Sequence, residues 1–243
     1  MNLNQIAKKP FWDLFYKTPC MSQLFRLAFN DAIRYNLHSS SGGANGAIRL
    51  KGALTRPENL GLEFALKQIE YTKKEGNHIT AMLSFADLIQ LGAYAALEYC
   101  EGPEVEFKMG REDVDELETE DEGILSAENA VDVQFANTGL TDEEIVALMG
   151  RRTLGFLPPE DEYQGRWCQN PYVFDNTYFQ ELLIENTRYI KLEDDRSLID
   201  NQKYRKYVEM FAEDQELFFD VFARAFVKVS EFGQEEKMLS EYN

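Results

Sequence analysis

The stretch that decides the fold runs Gly139-Leu-Thr-Asp-Glu-Glu-Ile-Val-Ala-Leu-Met-Gly-Arg-Arg-Thr-Leu-Gly155. Thr141 and Glu144 stand three residues apart at its start, which is the spacing of a capping box. Apolar residues follow, and two adjacent arginines, Arg151 and Arg152, come near the end. The pattern predicts a helix that begins at Thr141.

Most of the remaining chain shows apolar residues at helical spacing. The predicted helices span residues 22–37, 57–75, 84–100, 202–212 and 215–230. Segment 84–100 is apolar on most sides, so we expect it in the interior, and Gly102-Pro103 should end it. The sequence therefore predicts an all-α fold.

Composition and charge narrow the classes of partner. The chain has 243 residues, 44% of them hydrophobic, and a net charge of −18. An acidic surface repels phosphate backbones and anionic lipid, so nucleic acid and membrane-surface partners are not expected. Apolar runs are too short to span a bilayer, and the N-terminus shows no secretory or transit composition. We expect a soluble protein, with residues 112–122 forming a solvated acidic loop.

The cysteines do not suggest a cross-linked or zinc-binding protein. Cys20, Cys100 and Cys168 are odd in number and far apart, and no pair has zinc-ligand spacing. We expect them to be buried or half-buried free thiols.

Six ordered blocks resemble class I haem peroxidases, the group of ascorbate peroxidase and cytochrome c peroxidase. The opening stretch resembles GLTD-x-x-IVALSG-x-HTLG, and residues 26–32, RLAFNDA, resemble RLAWHDA. The other blocks lie at residues 42–49, 84–91, 102–113 and 165–179. The resemblance implies a two-lobed, all-α haem-peroxidase fold with a central cleft. It places a distal lobe at residues 1–130 and a proximal lobe at 131–243, within one compact peroxidase-like unit.

The resemblance also shows what has changed on the distal side. Arg26 aligns with the family's distal arginine, and Phe29 with a tryptophan. Asn30 aligns with the histidine that acts as base, but an amide does not titrate near neutrality and cannot replace it. Asn59 aligns with the asparagine that orients that histidine, and Asn30 could take over the contact. No catalytic set is therefore expected to be intact.

The proximal side loses the iron ligand. The family's ligand histidine aligns with Arg152, whose guanidinium offers hydrogen-bond donors and no lone pair. The other proximal residues, Trp167 and Asp195, remain. We expect Arg152 to pair with Asp195, because a buried charge without a partner is costly. The alternative is that Arg152 points outward and the pocket collapses. We expect no cofactor, and haem only if this interpretation is wrong.

Part of a monovalent-cation site seen in ascorbate peroxidases remains at Thr153, Asn170 and Asp175. One hydroxyl ligand position is now Cys168, and a thiol is a poor ligand for a hard cation. The alternative is that these side chains only cap and tie loops. No firm metal site is predicted.

These losses suggest a haem-less pseudoenzyme that acts as a structural or auxiliary subunit of a larger protein assembly. In kind it resembles the haem-less ascorbate peroxidase-like protein of the plant thylakoid lumen, which is associated with photosystem II. That likeness suggests a plastid location and a photosynthetic partner. Two alternatives remain open: a weakly active or atypically ligated haem peroxidase, and a small-molecule binder that uses the vacant haem cleft.

Overall fold

The computed structural model describes residues 3–117, 130–155 and 165–240, and this part of the chain is helical, as the sequence predicts. The helices are, in chain order, α1 (Leu3–Lys17), α2 (Met21–Ala32), α3 (Glu63–Glu75), α4 (His78–Met82), α5 (Phe85–Tyr99), α6 (Ala130–Phe135), α7 (Asp142–Met149), α8 (Thr177–Leu183), α9 (Glu193–Asp200), α10 (Gln202–Glu213), α11 (Gln215–Glu231) and α12 (Glu235–Ser240). Short 3-10 helices lie at Ala47–Arg49, Pro57–Asn59 and Gly150–Leu154. No helix within the described ranges is both long and apolar enough to cross a membrane.

The chain forms two units whose membership differs from the predicted division at residue 130. The first unit comprises Met1–Tyr99, Val105–Gly123 and Val227–Asn243, and the second comprises Cys100–Glu104 and Ile124–Phe226. The C-terminal segment thus belongs with the N-terminal part of the chain. Ser230 shows why: its hydroxyl lies 2.8 Å from the Tyr94 hydroxyl, and its carbonyl accepts a hydrogen bond from Arg111 Nε at 2.7 Å.

Helix α5 is the central element of the first unit. It packs against α1, α2 and α3, and its residues from Ala86 to Leu97 are buried. This agrees with a segment that is apolar on most sides, since a helix buried all round has no need of a polar face. Asp113 accepts hydrogen bonds from the backbone N–H groups of Phe85 and Ala86 at 2.9 and 2.7 Å, which satisfies the start of the helix.

Two predicted helices end or begin elsewhere than the apolar pattern suggests. Helix α2 ends at Ala32 rather than near residue 37, because the chain reverses and Asn36 N donates to Ser41 O at 2.9 Å. The predicted helix at 57–75 is interrupted at Gly61, whose φ of +80° lies outside the right-handed helical region. A 3-10 turn therefore precedes the break, and α3 begins at Glu63.

Helix α7 begins as the capping box predicts. Thr141 Oγ1 accepts a hydrogen bond from Glu144 N at 3.3 Å, and Glu144 Oε2 accepts one from Thr141 N at 2.7 Å. The α-helix ends at Met149, and the chain continues as the 3-10 helix Gly150–Leu154. The two arginines of the opening stretch thus lie on the 3-10 turn.

The second unit has an aromatic core beneath this turn. Helix α10 packs against α7, α8 and α9. The ring centroids of Phe174 and Phe222 lie 4.6 Å apart, those of Phe222 and Phe218 lie 5.7 Å apart, and those of Phe218 and Phe179 lie 5.0 Å apart. Gly150 lies directly on this core. A methyl group there would stand 2.6 Å from Phe218 Cε2 and 2.9 Å from Phe179 Cε2.

Gly150→Ala is expected to lower the free energy of unfolding by about 1–3 kcal/mol, because two packed rings must move to admit the methyl group. Urea denaturation of the variant and of the parent measures the change. Another glycine-to-alanine variant would be the natural control, but Gly52 is unsuitable. Its φ of +100° lies in a region that alanine rarely adopts. Glu216→Ala, at an exposed position in the first turn of α11, tests the cost of an ordinary helix substitution in the same unit. A Gly150→Ala protein as stable as the parent would contradict the close packing.

Candidate functional site

Arg152 lies on the 3-10 turn and points toward the first turn of α9. Its Nη1 donates to Asp194 Oδ1 at 2.8 Å and to Asp195 Oδ1, and its Nη2 donates to Asp194 Oδ2. Only 14% of the Arg152 side chain is exposed, and Asp195 is fully buried. The structure thus brings Arg152 and Asp195 together, as the sequence analysis expects. Asp194 is a second partner, and its contact with the Arg152 guanidinium is bidentate.

Asp195 is held by neutral donors as well. Trp167 Nε1 donates to its Oδ2 at 2.7 Å, the Tyr178 hydroxyl to its Oδ1 at 2.6 Å, and Leu192 N to its Oδ2 at 2.8 Å. The Arg152 guanidinium also lies over the Trp167 ring, 5.3 Å from the centroid. We call Arg152, Trp167, Tyr178, Asp194 and Asp195 the proximal cluster.

The proximal cluster keeps its charges. Burial alone would lower the pKa of Arg152, but the charge of Asp195 and the contacts with Asp194 hold that pKa above its ordinary value. Burial likewise opposes ionisation of Asp194, but the hydrogen bonds and charge of Arg152 keep the pKa of its carboxyl below the usual range. Burial, followed by the charge of Asp195, raises the pKa of Tyr178 well above its ordinary value, so the phenol remains a donor.

The sequence neighbours Arg151 and Met149 contact each other beside Arg152. Arg151 is half-buried, and burial, followed by the nearby charge of Arg152, lowers its pKa to about 9. Met149 is fully buried, and its sulfur accepts a hydrogen bond from Arg151 Nη1 at 3.4 Å. The chain's two histidines, His38 and His78, both belong to the first unit.

The residues that align with the distal side lie on α2 and on the turn before α3. Asn30 Nδ2 donates to Asn59 Oδ1 at 2.9 Å, so Asn30 does take up the contact with the orienting asparagine. Asn30 also donates to Glu58 O at 2.9 Å, and Arg26 Nη2 donates to the same carbonyl at 2.7 Å. Phe29 is buried, as expected of a residue that serves packing.

Further hydrogen bonds hold Asn59 and Glu58 in place on this side of the first unit. Asn59 is buried and donates to Ala53 O at 2.9 Å, and Arg34 pairs with the Glu58 carboxylate at 2.5 Å. A cavity of about 20 Å³ beside Asn30 and Asn59 has room for little more than a water molecule. An amide, a carbonyl and an ion pair therefore stand where the family has a general base.

Two of the three cation-site residues meet, and they bond to each other. Thr153 Oγ1 donates to Asp175 Oδ1 at 3.0 Å, and Thr177 donates to the same oxygen from its backbone N and from its hydroxyl. Cys168 Sγ donates to Thr153 O at 3.0 Å. Asn170 instead accepts from Tyr172 N at 3.1 Å, which ties its own loop.

This geometry favours loop tying over ion binding. Asp175 Oδ1, the Thr153 carbonyl and Asn170 Oδ1 each accept hydrogen bonds from the protein itself. Within the described ranges, no cluster of three or more histidine, cysteine, aspartate or glutamate side chains could hold a metal.

The three cysteines are buried free thiols, as predicted. Burial raises the pKa of Cys20 to about 11 and that of Cys100 to about 12, and it raises the pKa of Cys168 as well. Because the thiolate is the reactive form, none of these residues is suited to nucleophilic chemistry at neutral pH.

Some sequence-predicted features lie outside the described residues or only partly within them. Of the acidic loop 112–122, Glu112, Asp115 and Glu116 are exposed, and residues 118–122 are not described. Three contributing residues, Asp194, Tyr178 and Glu58, were not predicted from the sequence. The doublet Asp194-Asp195 could have pointed to a second carboxylate, but no local pattern distinguishes Tyr178 from the other aromatic residues or signals the Glu58 carbonyl.

Comparison with known proteins decides the family. The model of the family described as "Peroxidase" matches residues 6–214. This chain belongs to the peroxidase family.

Its relatives within the family are ascorbate peroxidases. "L-ascorbate peroxidase 5, peroxisomal" of Arabidopsis thaliana is 39% identical over 88% of this chain and 76% of its own length. "Probable L-ascorbate peroxidase 4, peroxisomal" of Oryza sativa subsp. japonica is 38% identical over 93% of this chain and 78% of its own. "L-ascorbate peroxidase 2, cytosolic" of Arabidopsis thaliana is 34% identical over 96% of this chain and 93% of its own length.

The donor chemistry of the proximal cluster does not fit histidine-ligated haem. Arg152, at the ligand position, has only N–H donors, and three of its hydrogen bonds go to carboxylates. Asp195, which in the family would face the ligand histidine, forms a salt bridge with Arg152 instead. The arrangement is chemically an ion-pair network.

Proposed function

We propose that this member of the peroxidase family is a haem-less pseudoenzyme that acts as a structural or auxiliary subunit of a larger protein assembly. The observation that carries the proposal is the salt bridge of Arg152 with Asp194 and Asp195. A guanidinium stays protonated and has no lone pair to give to iron. The network satisfies the proximal site without a metal.

The first unit supports the same interpretation. Peroxide cleavage needs a group that moves a proton, and Asn30 cannot titrate near neutral pH. Its amide is instead engaged by Asn59 and by the Glu58 carbonyl. The distal arginine equivalent, Arg26, donates to that same carbonyl. These contacts stabilise the fold and leave no base in place.

A role in an assembly follows from what is retained. The buried aromatic core and the helix caps persist, while Asn30 and Arg152 occupy the two positions where the family has histidines. A net charge of −18 favours a partner with a basic surface. The location in the thylakoid lumen, and with it a photosystem partner, rests on analogy alone. The names of the relatives, peroxisomal and cytosolic, give it no support.

Titration of the purified protein with haemin tests the loss of the cofactor. We expect no stoichiometric Soret band, because the guanidinium of Arg152 cannot bind the iron. The Arabidopsis relative "L-ascorbate peroxidase 2, cytosolic" serves as the positive control. A one-to-one Soret complex in this chain would contradict the proposal. Peroxide-dependent oxidation of ascorbate by that complex would establish the alternative of an atypically ligated enzyme.

The assembly role has its own measurement. Native size fractionation of an extract from the source cells should place the chain in a particle much larger than its 28.1 kDa. Recovery only at the monomer size would contradict the role as a subunit. A monomer that binds a small molecule without a Soret band would establish the small-molecule alternative instead.

A further inference from the structure

The two carboxylates that face Arg152 differ in what else neutralises them. Asp195 is fully buried, and three neutral donors reach it: Trp167 Nε1, the Tyr178 hydroxyl and Leu192 N. These donors reach both oxygens of the Asp195 carboxylate independently of Arg152. Asp195 therefore retains most of its stabilisation if the side chain at position 152 changes.

Asp194 has no comparable support. Both of its oxygens bond to Arg152, and the only further donor recorded for them in the described part of the chain is the backbone N of Asp195, at 3.0 Å from Oδ1. The side chain is only 15% exposed, so water replaces little of a lost partner. Its charge balance therefore depends on Arg152.

We propose that the Asp194 carboxylate requires a permanently charged side chain at position 152. Iron ligation at this position is then prevented by Asp194 as well as by Arg152. The inference rests on the proposed loss of the histidine ligand and names the residue that maintains it. A histidine at position 152 would face the carboxylates of Asp194 and Asp195. The additional charge of Asp194 favours the imidazolium form, in which both ring nitrogens carry hydrogen and neither can bind iron.

Two other cations lie near the site. Arg151 precedes Arg152 on the 3-10 turn, its charge acts on Arg152 and on Asp194, and its Nη1 donates to Leu148 O at 3.1 Å. Lys191 interacts electrostatically with Asp195, and its Nζ donates to Leu182 O at 2.8 Å and to Ile184 O at 2.5 Å. Arg152 is the cation that bonds to both oxygens of Asp194.

A thermal-stability cycle tests which carboxylate depends on Arg152. Arg152→Met should lower Tm by about 10 °C, because it leaves a buried carboxylate without its cation. Adding Asp194→Asn to that variant should recover at least half of the loss. Adding Asp195→Asn should recover less, since it also weakens the bonds from Trp167 and Tyr178. Greater recovery with Asp195→Asn than with Asp194→Asn would overturn the proposal.

A milder variant covers the case in which Arg152→Met does not fold. Lysine keeps the charge but not the two-pronged geometry, so Arg152→Lys should be less damaging. The same two asparagine substitutions are then compared in the lysine background. The expected order is unchanged, and the reverse order again overturns the proposal.

Haemin titration tests the exclusion itself. Arg152→His alone should bind haemin weakly, and Arg152→His with Asp194→Asn should bind at least about tenfold more tightly, because removing one carboxylate frees the neutral imidazole. Equal affinity of the two variants, or no Soret band in either, would overturn the role of Asp194. The unsubstituted chain separates the two proposals: a Soret band there would contradict the proposed function, whereas the stability cycle does not depend on haem.

Discussion

Arg152→Ala is expected to lower the free energy of unfolding by about 3–5 kcal/mol, the usual cost of removing one partner of a buried ion pair. The substitution leaves the carboxylate of Asp194 without its two-pronged partner and removes the guanidinium that lies over Trp167. Urea denaturation gives the difference from the shift in midpoint at constant slope. The result would show that the side chain at position 152 stabilises the fold.

An exposed arginine of the same unit is the matched control. Arg205 pairs with Glu209 one helical turn away at 2.8 Å, and about half of each side chain is exposed. Arg205→Ala should cost about 1 kcal/mol or less, since exposed pairs contribute little. If Arg152→Ala costs no more than Arg205→Ala, the proximal cluster is not a stabilising network.

Asp87→Ala is expected to destabilise the first unit by a similar amount, about 3–5 kcal/mol. The Arg111 side chain is fully buried, and its Nη1 donates to Asp87 Oδ1 at 2.8 Å. Asp87 also accepts hydrogen bonds from the backbone N–H groups of Gly110 and Arg111. Removing the carboxylate leaves a buried guanidinium without its counter-charge and frees two backbone donors. Thermal and urea denaturation both report the loss.

Asp115→Ala provides the comparison within that unit. Asp115 is 99% exposed and lies 3.7 Å from Arg49, so we expect no measurable change in Tm. Arg111→Met added to Asp87→Ala should recover part of the lost stability, because it removes the stranded charge. A double variant less stable than Asp87→Ala alone would rule out this explanation.

The helical fold was predictable because its signals are local. The capping box at Thr141 and Glu144 predicts where α7 begins, and the apolar run 84–100 predicts the buried helix α5. Errors arose where local backbone geometry overrides an apolar pattern. Gly61 adopts a positive φ within the predicted helix 57–75, and periodicity does not report φ.

The division of the chain was less predictable than its helices. Contacts between residues distant in sequence decide which segment belongs to which unit. Ser230 joins the first unit through Tyr94 and Arg111, more than 100 residues earlier in the chain. No sequence motif around Ser230 predicts that it contacts Tyr94 and Arg111. A boundary placed at residue 130 separates Ser230 from Tyr94 and Arg111, the residues that it contacts.

The sequence by itself determined the family and the chemistry that position 152 cannot perform. Ordered motifs predicted a peroxidase fold, and arginine lacks a lone pair in any environment. Tertiary structure decided how the charge is balanced. Arg152 and Asp194 are separated by more than 40 residues, and only the packing of the 3-10 turn against α9 brings them into contact. A side chain's own chemistry is readable from its residue type, whereas its partners depend on which helices converge.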